Sequence, residues 1–306
     1  MIEKILPNRY RTHNCIENCI ANLCDAANVD FRPMFLYSWN FGFDKSKDTI
    51  DEKLHYCSHF DIRVDRYFEL SASFLNIKFC MFSKEYSKIV NQLIGNNVLL
   101  IKTDSYFVPW NLAYQKYHLP HFYLLIYNNE KKCFTAIDSF CNKDMVDLDD
   151  VDVNKIEEIF RIDLNYDRLL NKNTEMPREK FLFFLNHNRN KEIYNLIGEL
   201  GRIFATVDSI EKLTTNLSDI SNSVLIRRMS YITHSRINTK SLFEYLNLSK
   251  VDIESMNTIS EKWESLKNLF IKILISKRLN LLQQVSDELM LLSNIENELC
   301  NKIIKT

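Results

Sequence analysis

Three residues of this chain have the types and the order needed for nucleophilic acyl chemistry. Cys15 opens the segment Cys15-Ile16-Glu17-Asn18-Cys19-Ile20-Ala21-Asn22-Leu23. His121 begins the run His121-Phe122-Tyr123-Leu124-Leu125-Ile126-Tyr127, and Asp138 ends Cys133-Phe134-Thr135-Ala136-Ile137-Asp138. A thiol attacks an acyl carbon as its thiolate, and a helix N-terminus or a neighbouring imidazolium lowers its pKa. His121 is the candidate base, and later the acid. Asp138 is the carboxylate that fixes the imidazole tautomer. The backbone N–H of Cys15 is a candidate donor to the tetrahedral oxyanion.

Those roles require particular elements. Apolar residues at 16, 19, 20, 23, 24 and 27 follow helical spacing, with Asn14 or Thr12 as the cap. Residues 121–127 and 133–137 read as strands around Asn128-Asn129-Glu130-Lys131, a hairpin signal. With the turn centred between Asn129 and Glu130, His121 pairs opposite Asp138, and opposed residues share a face. A slip of one residue would part them. Residues 83–94 read as a helix stopped by Gly95, 98–103 as a buried strand, and 33–43 as a short helix running into a loop. An acidic stretch from Asp147 to Asp152 opens a connector that holds one strand, 159–164. Beyond it the expected helices are 190–205, 208–217, 222–236, 239–247, 254–278 and 280–303.

The chain has 306 residues, 46% hydrophobic and 26% charged, which is enough for two domains. Its net charge of −1 gives no reason to expect nucleic-acid binding driven by overall charge. Its four glycines cannot form a phosphate-binding loop of the GxxxxGK or GxGxxG kind. Eight cysteines contain no CxxC, and His55-x-Cys57-x-His59 fits no common zinc spacing, so no metal is expected. The first residues lack the apolar stretch of a secretory signal, and no apolar run nears the roughly 18–20 residues that span a bilayer. The expectation is a cytoplasmic protein with reduced thiols and no membrane partner.

The order Cys, His, Asp resembles that of papain-like cysteine peptidases. A second block extends the likeness: Asn97-Val98-Leu99-Leu100-Ile101-Lys102-Thr103-Asp104-Ser105-Tyr106, then Pro109-Trp110, His118-x-Pro120-His121-Phe122 and Ala136-x-Asp138. This block resembles the N-terminal domain of the butirosin biosynthesis protein H family over roughly residues 10–140. It is also similar to cysteine-protease homologues that act as amide synthetases, as in the closthioamide pathway. The resemblance implies an α+β chain: a papain-like catalytic domain at 1–145, a connector at 146–180 and a helical domain at 181–306. It implies acyl transfer from the phosphopantetheine thioester of an acyl or peptidyl carrier protein to a small amine, in secondary-metabolite or nonribosomal-peptide biosynthesis. No cofactor of its own is implied, because the phosphopantetheine arrives on the carrier. Cys15, His121 and Asp138 would be catalytic. The Gln that such peptidases place before the Cys is missing, so Asn8 and Asn14 are the candidate oxyanion donors, with Asp104 and Tyr106 as pocket candidates. Two alternatives stay open: a peptidase or amidohydrolase using the same triad, and a non-catalytic binding protein with a vestigial site.

Overall fold

Short apolar strands and one capped helix build the first of two compact units. The computed structural model describes residues 5, 10–54, 64–95, 97–141, 145–148, 152–164, 178–214 and 223–306. The first unit spans 1–34 together with 64–175. It opens with α1, Cys15–Ala26, which starts in a complete capping box between Asn14 and Glu17. Replacing such a cap costs about 0.5–2 kcal/mol. Next come α2, Val64–Leu70, and a wider π turn, Ser71–Leu75, which Asn76 ends in the left-handed region at φ 52°.

The rest of this unit is β1, Ile77–Met81; α3, Tyr86–Ile94; β2, Leu99–Asp104; β3, Pro120–Asn128; β4, Cys133–Ile137; β5, Met145–Leu148; and β6, Ile156–Leu164. The six strands form one sheet in the order β1-β6-β2-β3-β4-β5, each pair antiparallel. On one face Ile89 and Leu93 of α3 cover Leu99, Ile101, Tyr123, Leu125, Phe134, Ala136, Ile156 and Ile159. Each fully buried Leu or Ile there contributes about 1.5–3 kcal/mol. α1 packs against β3.

The second unit joins 35–63 to 176–306. Besides a single turn at Ile50–Lys53, its helices include α4, Arg178–Asn190; α5, Asn195–Ala205; α6, Val224–Tyr245; α7, Lys250–Ser276; and α8, Leu282–Lys305. α5 lies against α8, and α6 against α7. Two glycines allow the first approach. A Cβ on Gly201 would sit 3.0 Å from the Ser286 carbonyl oxygen, and one on Gly198 3.1 Å from Ser293 Oγ. The core buries the Arg236–Glu296 ion pair, both side chains at 0% exposure.

The fold is α+β, and it divides differently from the expected 1–145, 146–180 and 181–306. Within 146–180 the described strands belong to the sheet and are not a connector leading away from it. β5 pairs with β4, and β6 lies between β1 and β2, so this stretch completes the sheet. Residues 35–63 leave the first unit because their aromatic side chains are core to the second. Phe35, Trp39 and Phe41 are buried there, and both Tyr194 Oη and Asn188 Nδ2 donate to the Trp39 carbonyl. Residues 222–236 and 239–247 form one continuous helix, α6. Of 208–217, only a 3-10 turn at Ile210–Lys212 is helical, with 215–222 outside the described residues. Among the described residues no helix is long and apolar enough to cross a membrane.

Candidate active site

Cys15 is the first helical residue of α1. The capping box occupies two of the four orphan amides of this helix start. Glu17 N–H donates to Asn14 Oδ1 (2.9 Å), and Asn14 N–H donates to Glu17 Oε2 (2.8 Å). The amides of Cys15 and Ile16 have no acceptor inside the helix, so the positive end of the dipole lies beside the sulfur. Below it, Asn22 Nδ2 donates to Ser139 Oγ at 2.7 Å, which joins α1 to the residue after Asp138.

His121 and Asp138 meet as an ordered pair. His121 Nε2 lies 2.6 Å from Asp138 Oδ2, and both residues are almost fully buried. The hairpin register is not the expected one. Leu124 pairs with Ile137 and Asn128 with Cys133, so Asp138 falls opposite Tyr123 and His121 is its diagonal neighbour. The slip is of two residues and not one, so both side chains keep a common face. With Nε2 bound to the carboxylate, Nδ1 is the ring nitrogen that Asp138 leaves open. Cys15 is near enough to His121 to act on the charge of its imidazole.

The electrostatics follow from these contacts. Burial opposes the charged imidazole, but hydrogen bonds to Asp138, Cys141 and Cys15 and attraction to Cys15 outweigh it. The His121 pKa is raised well above 6.5. The site therefore favours imidazolium beside the sulfur at a helix start, which is the form a thiolate nucleophile needs.

Two further side chains were not assigned from sequence. Trp110 Nε1–H donates to Asp138 Oδ2 at 2.8 Å, the same oxygen that meets the imidazole. Cys141 Sγ lies 4.0 Å from His121 Nε2, and its backbone N–H donates to Asp138 Oδ1 at 3.4 Å. Burial pushes the Cys141 thiol up, against the lowering effect of its hydrogen bond to His121, so this sulfur stays protonated. His121, Asp138 and Cys141 offer three donor atoms within 4.8 Å of one another, a set with metal-ligating chemistry that sequence spacing did not indicate. The available sequence signals were an indole in the turn before β3 and a Cys three residues past the Asp.

The remaining candidates do not join this cluster. Asn14 Oδ1 is committed to its cap, and Nδ2 donates one of its two hydrogens to Tyr67 Oη at 3.0 Å. Asn8, and with it His55, Cys57 and His59, lie outside the described residues. Asp104 turns to its own loop. It accepts from Tyr106 N–H (2.9 Å) and Leu119 N–H (3.2 Å) and pairs with His118 Nδ1 at 2.6 Å. Tyr106 stacks on His118 at 4.4 Å between ring centroids. His13 is buried and stacked on Tyr10 at 4.7 Å, which gives it a place in the packing of the N-terminal segment.

Compared with known proteins, the chain matches no family model and no curated sequence.

Proposed function

We propose that this chain is a cysteine-dependent acyltransferase that forms amides, with a papain-like first unit. One observation carries the reading: Cys15 at the start of α1 beside His121, whose Nε2 is fixed 2.6 Å from the buried carboxylate of Asp138. In the proposed cycle the Cys15 thiolate attacks the carbonyl of a carrier-bound phosphopantetheine thioester. The C–S bond to the carrier breaks, and the departing thiol takes its proton from the His121 imidazolium. An amine then attacks the acyl-enzyme, His121 accepts the amine proton, and the amide leaves as the Cys15 thiolate returns. The carrier protein and the small amine are the partners this cycle requires. A cytoplasmic setting in secondary-metabolite biosynthesis belongs to the same proposal.

The same groups would serve a hydrolase if water replaced the amine. The test is intact-protein mass spectrometry after incubation with a panel of acyl-pantetheine thioesters, wild type beside Cys15→Ser. A mass increase equal to the acyl group on wild type alone is the expected result. Adding a diamine should then release amide; release of free acid in its place would convert the reading to hydrolysis. No adduct with any donor would overturn it.

A further inference from the structure

Trp110, which donates to Asp138, also lines a concavity of the first unit. It is a cleft of about 180 Å³. That is below the roughly 300–1,000 Å³ of sites for drug-sized ligands, so its occupant is small. Its walls include Phe107, Pro109, Trp110 and Leu148. Tyr123 also lines it. That side chain is 6% exposed. Its hydroxyl is a donor and acceptor that a polar group bound in the cleft can use.

The charged part of the lining is an ion pair. Asp152 Oδ2 and Lys155 Nζ lie 2.9 Å apart, with their side chains 46% and 52% exposed. An exposed pair of this kind holds itself together weakly, so a ligand can part it at little cost. The two charges cancel. A lone anion drawn to Lys155 would sit beside Asp152, and a lone cation drawn to Asp152 would sit beside Lys155. A ligand with both charges meets no such penalty. We propose that this cleft binds a small zwitterion of the free amino-acid class with an apolar side chain. Its ammonium sits on Asp152, its carboxylate on Lys155, its polar end within reach of the Tyr123 hydroxyl, and its side chain against Phe107, Pro109 and Trp110. Because Trp110 also donates to Asp138, occupancy of the cleft bears on the residue that orients His121. This proposal stands apart from the acyltransferase reading and survives its failure.

The experiment is a tryptophan-fluorescence titration of the full chain with leucine and phenylalanine, checked by calorimetry. Trp39 and Trp263 are fully buried and both donate to Glu296, so a ligand-dependent change reports Trp110. A saturable change is expected by about 10 mM, which would nearly saturate a site with a Kd of order 1 mM. Leucine's single-charge analogues, 3-methylbutylamine and 4-methylpentanoate, should bind about tenfold more weakly or worse. Asp152→Asn and Lys155→Met should each weaken leucine by a similar factor without lowering the melting temperature, and Tyr123→Phe should weaken it less. No saturable change with either amino acid would overturn the proposal. So would single-charge analogues that bind equally well, or affinity unaltered by both rim substitutions.

Discussion

Asp138 in the sheet unit and Glu296 in the helical unit are both buried carboxylates that accept from indole N–H groups, and they are built for opposite ends. Each oxygen of Glu296 takes two donors. Oε1 accepts from Arg236 Nε (3.1 Å) and Trp263 Nε1 (2.8 Å), and Oε2 accepts from Arg236 Nη2 (2.8 Å) and Trp39 Nε1 (2.8 Å). The guanidinium spends another donor on the Asn40 carbonyl, at 2.7 Å. None of these donors gives up its proton at ordinary pH, so the cluster is complete and inert. Around Asp138 the cation is an imidazole, which can release a proton, and its second nitrogen is not engaged by the carboxylate. Nearly the same ingredients therefore give a structural rivet in one unit and a reactive pair in the other. The difference lies in whether the partner of the carboxylate can titrate and whether it has valence to spare.

Several substitutions break or sharpen that contrast. Asp138→Asn has the largest expected effect after loss of Cys15 itself: about 10³–10⁴-fold slower adduct formation, by analogy with the loss of an orienting carboxylate. It should also move the pH profile. Folded wild-type His121 has a raised pKa, so the imidazolium that activates Cys15 persists above 6.5 and is lost as pH rises through the raised value. The stability linked to that proton follows the same sign. It is whole below the unfolded histidine value and lost as pH rises through the folded one. Without Asp138 the alkaline limb of adduct formation should shift to lower pH. A limb that stays in place would remove Asp138 from its assigned role.

Glu296→Ala should act on stability and not on chemistry. It strands a buried guanidinium and two indole donors, at a cost of about 3–5 kcal/mol by chemical denaturation. Trp110→Phe should slow adduct formation about tenfold, consistent with loss of a hydrogen bond to a charged group worth about 1.5–3 kcal/mol. Cys141→Ala should change the rate least, within a few fold, because its thiol is held protonated. A Cys141→Ala protein that forms no adduct would transfer the nucleophile's role from Cys15.

The site was more legible in the sequence than the fold around it, and distance along the chain explains why. Asn14 and Glu17 cap α1 three residues apart, and β3 and β4 form a local hairpin, so short-range rules were enough to place Cys15, His121 and Asp138. The register error was harmless because strand side chains repeat every two residues. β6 was read as part of a connector because its neighbours, Ile77–Met81 and Leu99–Asp104, lie far upstream. The aromatic run from Phe35 to Phe43 reads as a short helix running into a loop for the same reason. Its partners, Tyr194, Arg236 and Glu296, come more than 150 residues later, and no local pattern announces them. Asp104 and Tyr106 look poised for chemistry in the sequence, but the Asp104 carboxylate is taken up by Tyr106 N–H, Leu119 N–H and His118, and the Tyr106 ring stacks on His118.

The hydrogen bond from Trp39 to Glu296 spans 257 residues of sequence. On a ribosome, residues 35–63 emerge early, yet the core that receives them is not complete until α8 has been made. The sheet unit has its own delay, because its interior strand β6 is the last of the six to be synthesised. Neither half can therefore mature strictly in the order of synthesis. The nascent chain must carry Phe35, Trp39 and Phe41 uncovered through most of its translation. A single cut near residue 175 would leave that apolar segment with no partner, so an isolated sheet unit would have to be built by joining residue 34 to residue 64.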